Sequence, residues 1–488
     1  MKRVIVIGSG LGGLQCGYIM SKRGMKVTVL EKHSQAGGCL QSFRRGNYVF
    51  DTGFHYVGGL DEGQPLYRLF DFFGLTHLQW VRLDENGFDE VVFGDKSYLL
   101  PNGYNRFVDA LAQYFPHQHS NLRQYTEILK QVGNNIFDIN TQDIFSNGSA
   151  FGQSASSFVN QTITDPLLRN VLSGASLTME LKPDSLPLYT FAQINSSYIQ
   201  SAWRLRGGSS QIIDSLVKSI ENNGGIVRTS AEVTELIENN GVITSAVVNG
   251  EERLEADCFI ADTHPSVAVN LVRNSTKIRK IFRSRINSLA NTFGIFTVHL
   301  ALKPNTVRYR NRNIHIHKSD NVWKLYDYIH DNINAYIMLS FQPPNDNSMF
   351  TNNIDILTIM YSEEVEQWRN TTIGKRGADY SDYKRLKADA CVRLAAEYLP
   401  ELNNAIDRTH SSSSLTWRDY TGSPNGSAYG IRKDCNALHT TVLSPRTPIP
   451  NLLLTGQNLN VHGILGVSMT AFLTCNEPIP NPCPLVPS

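Results

Sequence analysis

Three glycines and one acidic residue near the start of the chain have the types and spacing that hold a dinucleotide. Gly8, Gly10 and Gly13 fit the pattern G-x-G-x-x-G directly after an apolar run, and a helix is predicted to begin near Leu11. Such glycines permit the tight bend, the approach of a pyrophosphate to the backbone and close packing of helix on strand. Glu31 ends the next apolar run, where a carboxylate accepts hydrogen bonds from an adenosine ribose. Together these residues predict dinucleotide binding.

A second glycine doublet favours FAD over NAD as the dinucleotide. Gly37 and Gly38 follow the acidic residue, and the segment 51–59, DTGFHYVGG, follows in turn. A nicotinamide-dependent dehydrogenase needs no such doublet. A chain that runs along the pyrophosphate and ribityl part of the longer FAD needs positions without side chains. FAD is therefore the predicted cofactor, and a glycine-rich turn between two strands is the structural alternative.

Three side chains are the predicted catalytic groups, because a flavin carries out hydride transfer while the protein orients it and supplies protons. His55 and Tyr56 lie in the second glycine segment, and His462 lies at the start of a C-terminal apolar helix. A structural role is the alternative for His55, as a hydrogen-bonding group in a tight turn, and for His462. The sequence shows no Ser-His-Asp arrangement, no paired carboxylates and no metal-ligand cluster, so no metal is expected.

Five other polar and aromatic residues could have a functional or a structural role. We expect His264 to begin a helix after a strand. Tyr420 and Tyr429 could line a substrate channel or belong to the core, and Arg204 and Arg206 could bind a phosphate or a carboxylate or be solvated.

Three stretches with α/β character must position these residues, at 1–60, 205–275 and 415–475. The first has a strand, the glycine turn, a helix and a second strand. The second and third add a helix at 212–220, an apolar helix from about 464, and strands at 226–229, 233–237, 243–248, 257–261 and 452–454. Asn239, Asn240 and Gly241 predict a hairpin turn between two of these strands.

Two insertions, 61–204 and 276–414, separate the α/β stretches. The first is dense in Phe and Tyr and is partly helical, with an amphipathic helix through Leu66, Leu69, Phe70 and Phe73. For the second we predict antiparallel strands followed by a helix whose apolar face carries Tyr383, Leu386, Ala390 and Leu394. The predicted strands are 293–302, 323–329, 335–341 and 354–361.

Composition excludes several classes of protein. Among 488 residues, 45 Lys and Arg against 44 Asp and Glu give a net charge of +1, so nucleic acid is not an expected partner. Seven scattered cysteines predict reduced thiols and a cytoplasmic location. No apolar run is long enough to span a bilayer, and peripheral membrane contact stays open.

The N-terminal residues, GSGLGGL, VTVLEKHSQAGG and FRRGNYVFDTGFHYVGG, resemble the phytoene desaturase, carotenoid isomerase and retinol saturase group of FAD-dependent oxidoreductases. Two further blocks agree in the same order along the chain. Residues 206–211 with 233–237 are similar to the group's central FAD segment, and residues 452–458 with 462–468 are similar to its C-terminal flavin motif.

The resemblance implies which residues hold FAD. It places His55 close to the flavin, the strand through Val233 against the adenine, and the N-terminus of the last helix toward the flavin, where its dipole stabilises negative charge. The group usually has Asp where Asn458 stands. Asn can still accept a hydrogen bond through its amide oxygen, so weaker but retained FAD binding is expected. The remaining residues implied to bind FAD are Leu11, Lys32, Gly456, Gln457, Gly463, Ile464 and Leu465.

The implied fold is α/β, a Rossmann-like FAD-binding domain of the two-dinucleotide-binding type with an inserted α+β substrate domain. The implied activity is saturation, desaturation or cis-trans isomerisation of C=C bonds in a long conjugated substrate such as a carotenoid or retinoid. With no second G-x-G-x-x-G, electrons are expected from a docking reductase or a transiently bound NAD(P)H. A flavin amine oxidase and a non-enzymatic prenyl or lipid carrier of the same fold are the alternatives.

Overall fold

The computed structural model describes residues 1–134, 152–319, 321–325, 335–344 and 348–477. The tail predicted to be irregular and Pro-rich, 476–488, lies outside the described residues from 478 onward. The strands β1 to β20 are, in order, Arg3–Ile7, Lys26–Leu30, Ser42–Arg45, Tyr48–Asp51, Val57–Gly58, Trp80–Arg82, Asp89–Phe93, Lys96–Leu100, Ala202–Leu205, Ile226–Arg228, Val233–Asn239, Val242–Val248, Glu252–Glu255, Cys258–Ala261, Gly294–Leu302, Asn313–His317, Tyr336–Phe341, Asn353–Met360, Ile406–Ser412 and Leu452–Leu454.

Fifteen α-helices occur among the described residues. Numbered α1 to α15, they are Leu11–Lys22, Pro65–Phe72, Tyr104–Tyr114, His119–Asn134, Ala155–Thr162, Pro166–Leu172, Leu188–Gln200, Ser210–Asn222, Pro265–Leu271, Lys280–Asn287, Ala378–Tyr398, Leu402–Ala405, Ser414–Thr421, Leu438–Thr441 and Gly463–Asn476. Short 3-10 turns lie at Gly38–Leu40, Pro116–Gln118, Ser176–Thr178, Val322–Lys324, Ser362–Trp368, Pro424–Gly426 and Cys435–Ala437.

A five-stranded parallel sheet in the order β10-β2-β1-β14-β20 carries the glycine turn. All three predicted α/β stretches contribute strands to it, although the domain boundaries themselves stay a prediction. Helix α1 packs closely on this sheet, since a Cβ on Gly17 would lie 3.1 Å from both Ile220 and Val29. The parallel order and the covering helices confirm the expected Rossmann-like α/β class.

A seven-stranded sheet in the order β19-β15-β18-β17-β16-β7-β8 forms the second large element. Three of the four strands predicted for the second insertion occur in it as antiparallel neighbours, while β16 pairs with β7 in parallel. Strands β7 and β8 come from the first insertion, so the two insertions share one sheet. Its four central strands, β15 to β18, are buried at every position, whereas the edge strand β19 is partly exposed.

Two local predictions were wrong. The strand predicted at 323–329 begins instead as the 3-10 turn Val322–Lys324, because the Asn321 side chain accepts a hydrogen bond from the N–H of Trp323 at 3.0 Å; residues 326–329 lie outside the described residues. In α11, Leu386 is 57% exposed, because the stripe that faces the sheet runs through Ala388, Cys391 and Leu394.

Other local predictions were correct. The hairpin turn is present, with Asn240 and Gly241 both at positive φ, 50° and 82°. Leu66, Leu69, Phe70 and Phe73 are all buried on one side of α2 and its end. The six cysteines of the described chain are free thiols.

Candidate functional site

Eleven of the predicted cofactor residues line one cavity, here called the glycine cavity, at the carboxyl ends of the parallel strands. They are Gly8, Gly10, Leu11, Glu31, Lys32, Gly37, Gly38, Val233, Gly456, Gln457 and Asn458. Gly13 lies just behind this lining in α1. The chain folds these positions together because β2, β1, β14 and β20 end side by side in that order and the second glycine doublet returns to the first turn.

The first glycine turn leaves no room for side chains. A Cβ on Gly10 would lie 2.6 Å from Asp262 Oδ2, and one on Gly12 would lie 2.7 Å from Asp262 Oδ1. Gly8 has a φ of +96°, where a side chain is strained. A Cβ on Gly13 would collide with the carbonyl oxygen of Gly8, so α1 could not pack where it does.

The second doublet closes over the first turn. The N–H of Gly37 donates to the carbonyl of Ser9 at 3.0 Å, and both glycines of the doublet have positive φ, 121° for Gly37 and 55° for Gly38. A Cβ on Gly38 would lie 3.3 Å from the Cα of Gly10. The backbone of the doublet therefore borders a groove that has no side chains on it, as a long dinucleotide requires.

Glu31 is held in place by three donors. Its Oε2 accepts from the Ser9 N–H at 3.0 Å and the Ser9 hydroxyl at 2.7 Å, and its Oε1 accepts from the N–H of His33 at 2.9 Å. The carboxylate keeps acceptor positions free on Oε1. A fixed, buried acceptor at the end of β2 fits the predicted ribose contact.

Asn458 departs from its predicted role in one respect. Its Oδ1, expected to accept a hydrogen bond from the ribityl chain, already accepts from the N–H of Ile431 at 3.0 Å. Its carbonyl oxygen accepts from Lys433 Nζ at 2.6 Å. The Asn458 side chain can therefore offer a ligand its amide NH₂ group as a donor and the remaining lone pair of Oδ1 as an acceptor.

Asp262 is the residue of the glycine cavity that the sequence analysis missed. It follows β14, and the Cβ positions of Gly8, Gly10, Gly12 and Gly456 all point at its atoms. Burial raises the pKa of Asp262 to about 7, although a hydrogen bond from the Gly13 N–H opposes this and Glu31 adds repulsion. The carboxyl group thus lies at the N-terminus of α1, where the fold offers N–H donors to an anion.

The remaining predicted residues line a second, adjoining cavity, here called the apolar cavity. His55, Tyr56, His462, Gly463, Ile464 and Leu465 all border it. Leu11, Cys39, Leu40, Gln457 and Val467 border both cavities, so the two spaces share one side. Helix α15 begins at Gly463 and presents the unbonded N–H groups of its first turn here.

His55 lacks the hydrogen bonds that its structural alternative requires. Neither ring nitrogen has a hydrogen-bond partner among the described residues, so it does not brace a turn. Its Nδ1 lies 3.9 Å from Asp355 Oδ2. Burial lowers the pKa of His55 to about 4, against the opposing effect of Asp355 and with His299 and Arg204 lowering it further. At neutral pH the ring is uncharged.

Tyr56 and His462 are both engaged in hydrogen bonds. The Tyr56 hydroxyl donates to Asp89 Oδ2 at 3.0 Å, and its ring stacks on Tyr198 at 4.4 Å between centroids. His462 Nε2 donates to the carbonyl of Thr178 at 2.9 Å, and burial lowers the pKa of the ring to about 4. Burial raises the pKa of Tyr56 well above its usual value.

The two tyrosines and His264, also considered from the sequence, lie in different environments. Tyr429 lines the apolar cavity, whereas Tyr420 is 44% exposed and lies at the rim of the glycine cavity. His264 caps α9 by accepting from the N–H of Ser266 at 3.2 Å, as expected.

Neither arginine borders either cavity. Arg204 is fully buried, against the expectation of a solvated side chain, and donates to the carbonyl of Phe341 and to Asn313. Arg206 likewise lines neither the glycine cavity nor the apolar cavity.

Comparison with a family model identifies the class of protein. The model described as flavin containing amine oxidoreductase matches residues 11–463, most of the chain. The chain belongs to this family. It is an FAD-dependent oxidoreductase, and the glycine cavity fits that cofactor by its bare backbone and by the fixed, buried carboxylate of Glu31.

Relatives and solved structures of this flavin oxidoreductase are similar over nearly its whole length. All-trans-retinol 13,14-reductase from Danio rerio is 26% identical, covering 98% of this chain and 86% of the relative. Chloroplastic prolycopene isomerase from Daucus carota is 22% identical over 87% of this chain and 71% of the relative. The structure of putrescine oxidase bound to putrescine is 13% identical with a TM-score of 0.64, covering 97% and 98% of the two chains, and shows a shared fold.

No helix in the described part of the flavin oxidoreductase is long and apolar enough to cross a membrane.

Proposed function

We propose that this flavin oxidoreductase acts on C=C bonds of a long, hydrophobic, conjugated substrate, and that it saturates them. The observation that carries the proposal is the apolar cavity that shares one side with the glycine cavity. A substrate there would lie beside the part of FAD that is redox-active. The similarity to retinol 13,14-reductases over 98% of the chain supports saturation as the direction.

The predicted residues divide the work of holding FAD. The turn at Gly8, Gly10 and Gly13 receives the pyrophosphate, and Glu31 receives the adenosine ribose. The first turn of α15, at Gly463, Ile464 and Leu465, supplies N–H donors and a positive dipole end to the flavin. When bound and reduced, FAD would supply the hydride of the reaction, which carries both electrons.

His55 is the proposed proton donor to the substrate carbon. Tyr56 is less suited, because its hydroxyl proton is already given to Asp89, and burial raises its pKa well above its usual value. His462 is proposed to orient substrate and helix rather than to donate, since its Nε2 proton is held by Thr178.

The test is a reduction of all-trans-retinol by the holoenzyme. The purified protein is expected to show the two visible bands of a flavin and to release FAD on denaturation. Holoenzyme reduced with dithionite under argon, then mixed with all-trans-retinol, should shift the polyene absorption to shorter wavelength as one double bond is lost. An unchanged retinol spectrum, tested also with a carotenoid, would contradict the proposal.

Amine oxidation is the second candidate, and the family description is what favours it. The lining of the apolar cavity argues against it, because no carboxylate stands among its described residues to receive an ammonium group. Hydrogen peroxide formation with putrescine or benzylamine in air would support amine oxidation. Its absence, together with reduction of the polyene, would decide for C=C chemistry.

The electron donor is proposed to be a docking reductase or a transiently bound NAD(P)H. Anaerobic mixing of the holoenzyme with NADPH or NADH tests the second source by bleaching of the flavin band. Peripheral contact with a membrane is likewise proposed, and sedimentation with lipid vesicles measures it.

A further inference from the structure

A row of polar side chains, buried except for the half-buried His410 at its edge, crosses the seven-stranded sheet beneath the apolar cavity. In the strand register, His410 of β19 is opposite His299 of β15, which is opposite Asp355 of β18, which is opposite Ser340 of β17. Asp355 is 0% exposed and His299 is 2% exposed. Polar groups buried in a sheet need partners, so the bonds made by this row are informative.

Asp355 connects two histidines. Its Oδ1 lies 2.7 Å from His299 Nδ1, at hydrogen-bond distance, and its Oδ2 lies 3.9 Å from His55 Nδ1. Asp355 Oδ2 and both ring nitrogens of His55 have no hydrogen-bond partner among the described residues. A shift of about 1 Å in the His55 ring, or one water, closes the gap to hydrogen-bond length.

The two histidines at the ends of this hydrogen-bonding row, His55 and His299, border different cavities. His55 lines the apolar cavity, of about 210 Å³. His299 lines a separate and larger cavity, of about 930 Å³, here called the basic cavity because Arg45, Arg376 and Lys384 also border it. Ser412 hydroxyl lies 3.5 Å from His299 Nε2 on the side of the basic cavity. His299, Asp355 and His55 therefore connect the basic cavity to the apolar cavity.

The proposed saturation creates a need for such a connection. Adding two hydrogens to a C=C bond consumes one hydride and one proton, and a proton donor inside an apolar cavity must be recharged after each turnover. Tyr56 and His462, the other candidates, are hydrogen-bonded to Asp89 and to the carbonyl of Thr178, and neither lines the basic cavity.

We propose that His299, Asp355 and His55 form a proton relay that carries protons from the basic cavity to the substrate. The relay rests on the proposed saturation. For each C=C bond reduced, His55 gives one proton to the substrate carbon and takes one from the Asp355 side, and His299 recovers one from solvent. The imidazole of His55 is neutral before and after, as its lowered pKa requires. His299 and Asp355 are positioning residues, since they act through His55.

The decisive variants are Asp355→Asn and His299→Ala, each tested as FAD-loaded protein with excess dithionite and all-trans-retinol over many turnovers. Loss of general-acid catalysis typically lowers a rate by about 10²–10⁴-fold, so we expect a slowing of about 100-fold or more. The solvent deuterium isotope effect should rise in both variants, because proton delivery then limits the rate. A purely structural role would leave this isotope effect unchanged.

Chemical rescue gives the second readout. His299→Ala removes an imidazole at the edge of the basic cavity, so added imidazole should restore much of the rate to this variant and none to Asp355→Asn. The matched control is His317→Gln, another buried histidine of the same sheet, whose Nε2 bonds the carbonyl of Gly174 at 2.7 Å. The control should keep both the wild-type rate and the wild-type isotope effect.

Failure of the relay and failure of the proposed function are distinguishable. If wild-type enzyme reduces retinol and both relay variants keep its rate and isotope effect, the relay is wrong. If wild-type enzyme leaves all polyenes unchanged, the proposed function fails. The relay is then judged by ¹⁵N-histidine NMR, in which Asp355→Asn must change the ring signals of both His55 and His299; unchanged signals overturn it. Should Asp355→Asn lose FAD on purification, His299→Ala with imidazole decides alone.

Discussion

The binding of FAD to the apoprotein should depend on a single carboxyl group, that of Asp262. This group lies against the glycine turn, with Oδ2 2.6 Å from the Cβ position of Gly10 and Oδ1 2.5 Å from that of Gly456. The pyrophosphate of FAD is negatively charged and is proposed to bind the same N–H groups. An ionised Asp262 therefore competes with it and repels it, whereas a protonated one does not.

The magnitude follows from the pKa of about 7 that burial gives Asp262. If FAD binds only to protein in which Asp262 is protonated, the apparent Kd equals the intrinsic Kd multiplied by 1 + 10^(pH − pKa). From pH 6 to pH 8 the Kd should rise about tenfold, equivalent to about 1.4 kcal/mol. The other titratable groups facing Asp262 are Glu31, Cys16 and Cys39, and burial raises the pKa of both thiols, so they stay neutral over this range.

The assay is a titration of apoprotein with FAD, followed by quenching of flavin fluorescence between pH 6 and pH 8.5. Asp262→Asn should bind FAD about tenfold more tightly than wild type at pH 8 and should show no pH dependence, because its amide is uncharged throughout. Asp257→Asn, an exposed residue just before the same strand, is the matched control and should follow the wild-type curve. A wild-type Kd that does not change between pH 6 and pH 8.5 would show that the charge of Asp262 does not control FAD binding.

Four further outcomes are expected. Gly10→Val should abolish FAD retention, since its Cβ alone would meet Asp262, and a yellow, fully loaded variant would sink this argument. His55→Ala should keep FAD in the absorption spectrum but lose turnover of retinol; normal turnover would demote it to a structural residue. Arg204→Met should lower the free energy of unfolding by about 3–5 kcal/mol in urea, because it leaves the polar groups around it unpaired, and an unchanged midpoint would contradict this. Apoprotein stability should fall as pH rises from about 4 to 7, because the raised pKa of Asp262 means that the folded state holds this proton more tightly than the unfolded state does. In melting experiments at several pH values, Asp262→Asn should lose this part of the pH dependence.

Local sequence patterns predicted much of the fold because each of them reflects interactions between residues that are close in sequence. The glycine turn, the hairpin at Asn240 and Gly241, and the buried face of α2 each depend on residues close in sequence. The strand predicted at 323–329 failed for a local reason as well, since the Asn321 side chain caps a 3-10 turn there. Leu386 failed because the neighbour of α11, a sheet from distant segments, decides which stripe of the helix is buried.

The functional site shows the same division. The amino-acid sequence alone was sufficient to predict the cofactor and most residues of the glycine cavity, because a turn without side chains and an acid at the end of β2 are typical of dinucleotide binding. It could not indicate Asp262, Asp355 or His299, although isolated polar residues within the apolar runs 293–302 and 354–361 were a signal that could have been followed. Which of these groups meet depends on the tertiary fold, since strand register between segments more than fifty residues apart sets their distances and burial shifts their pKa values.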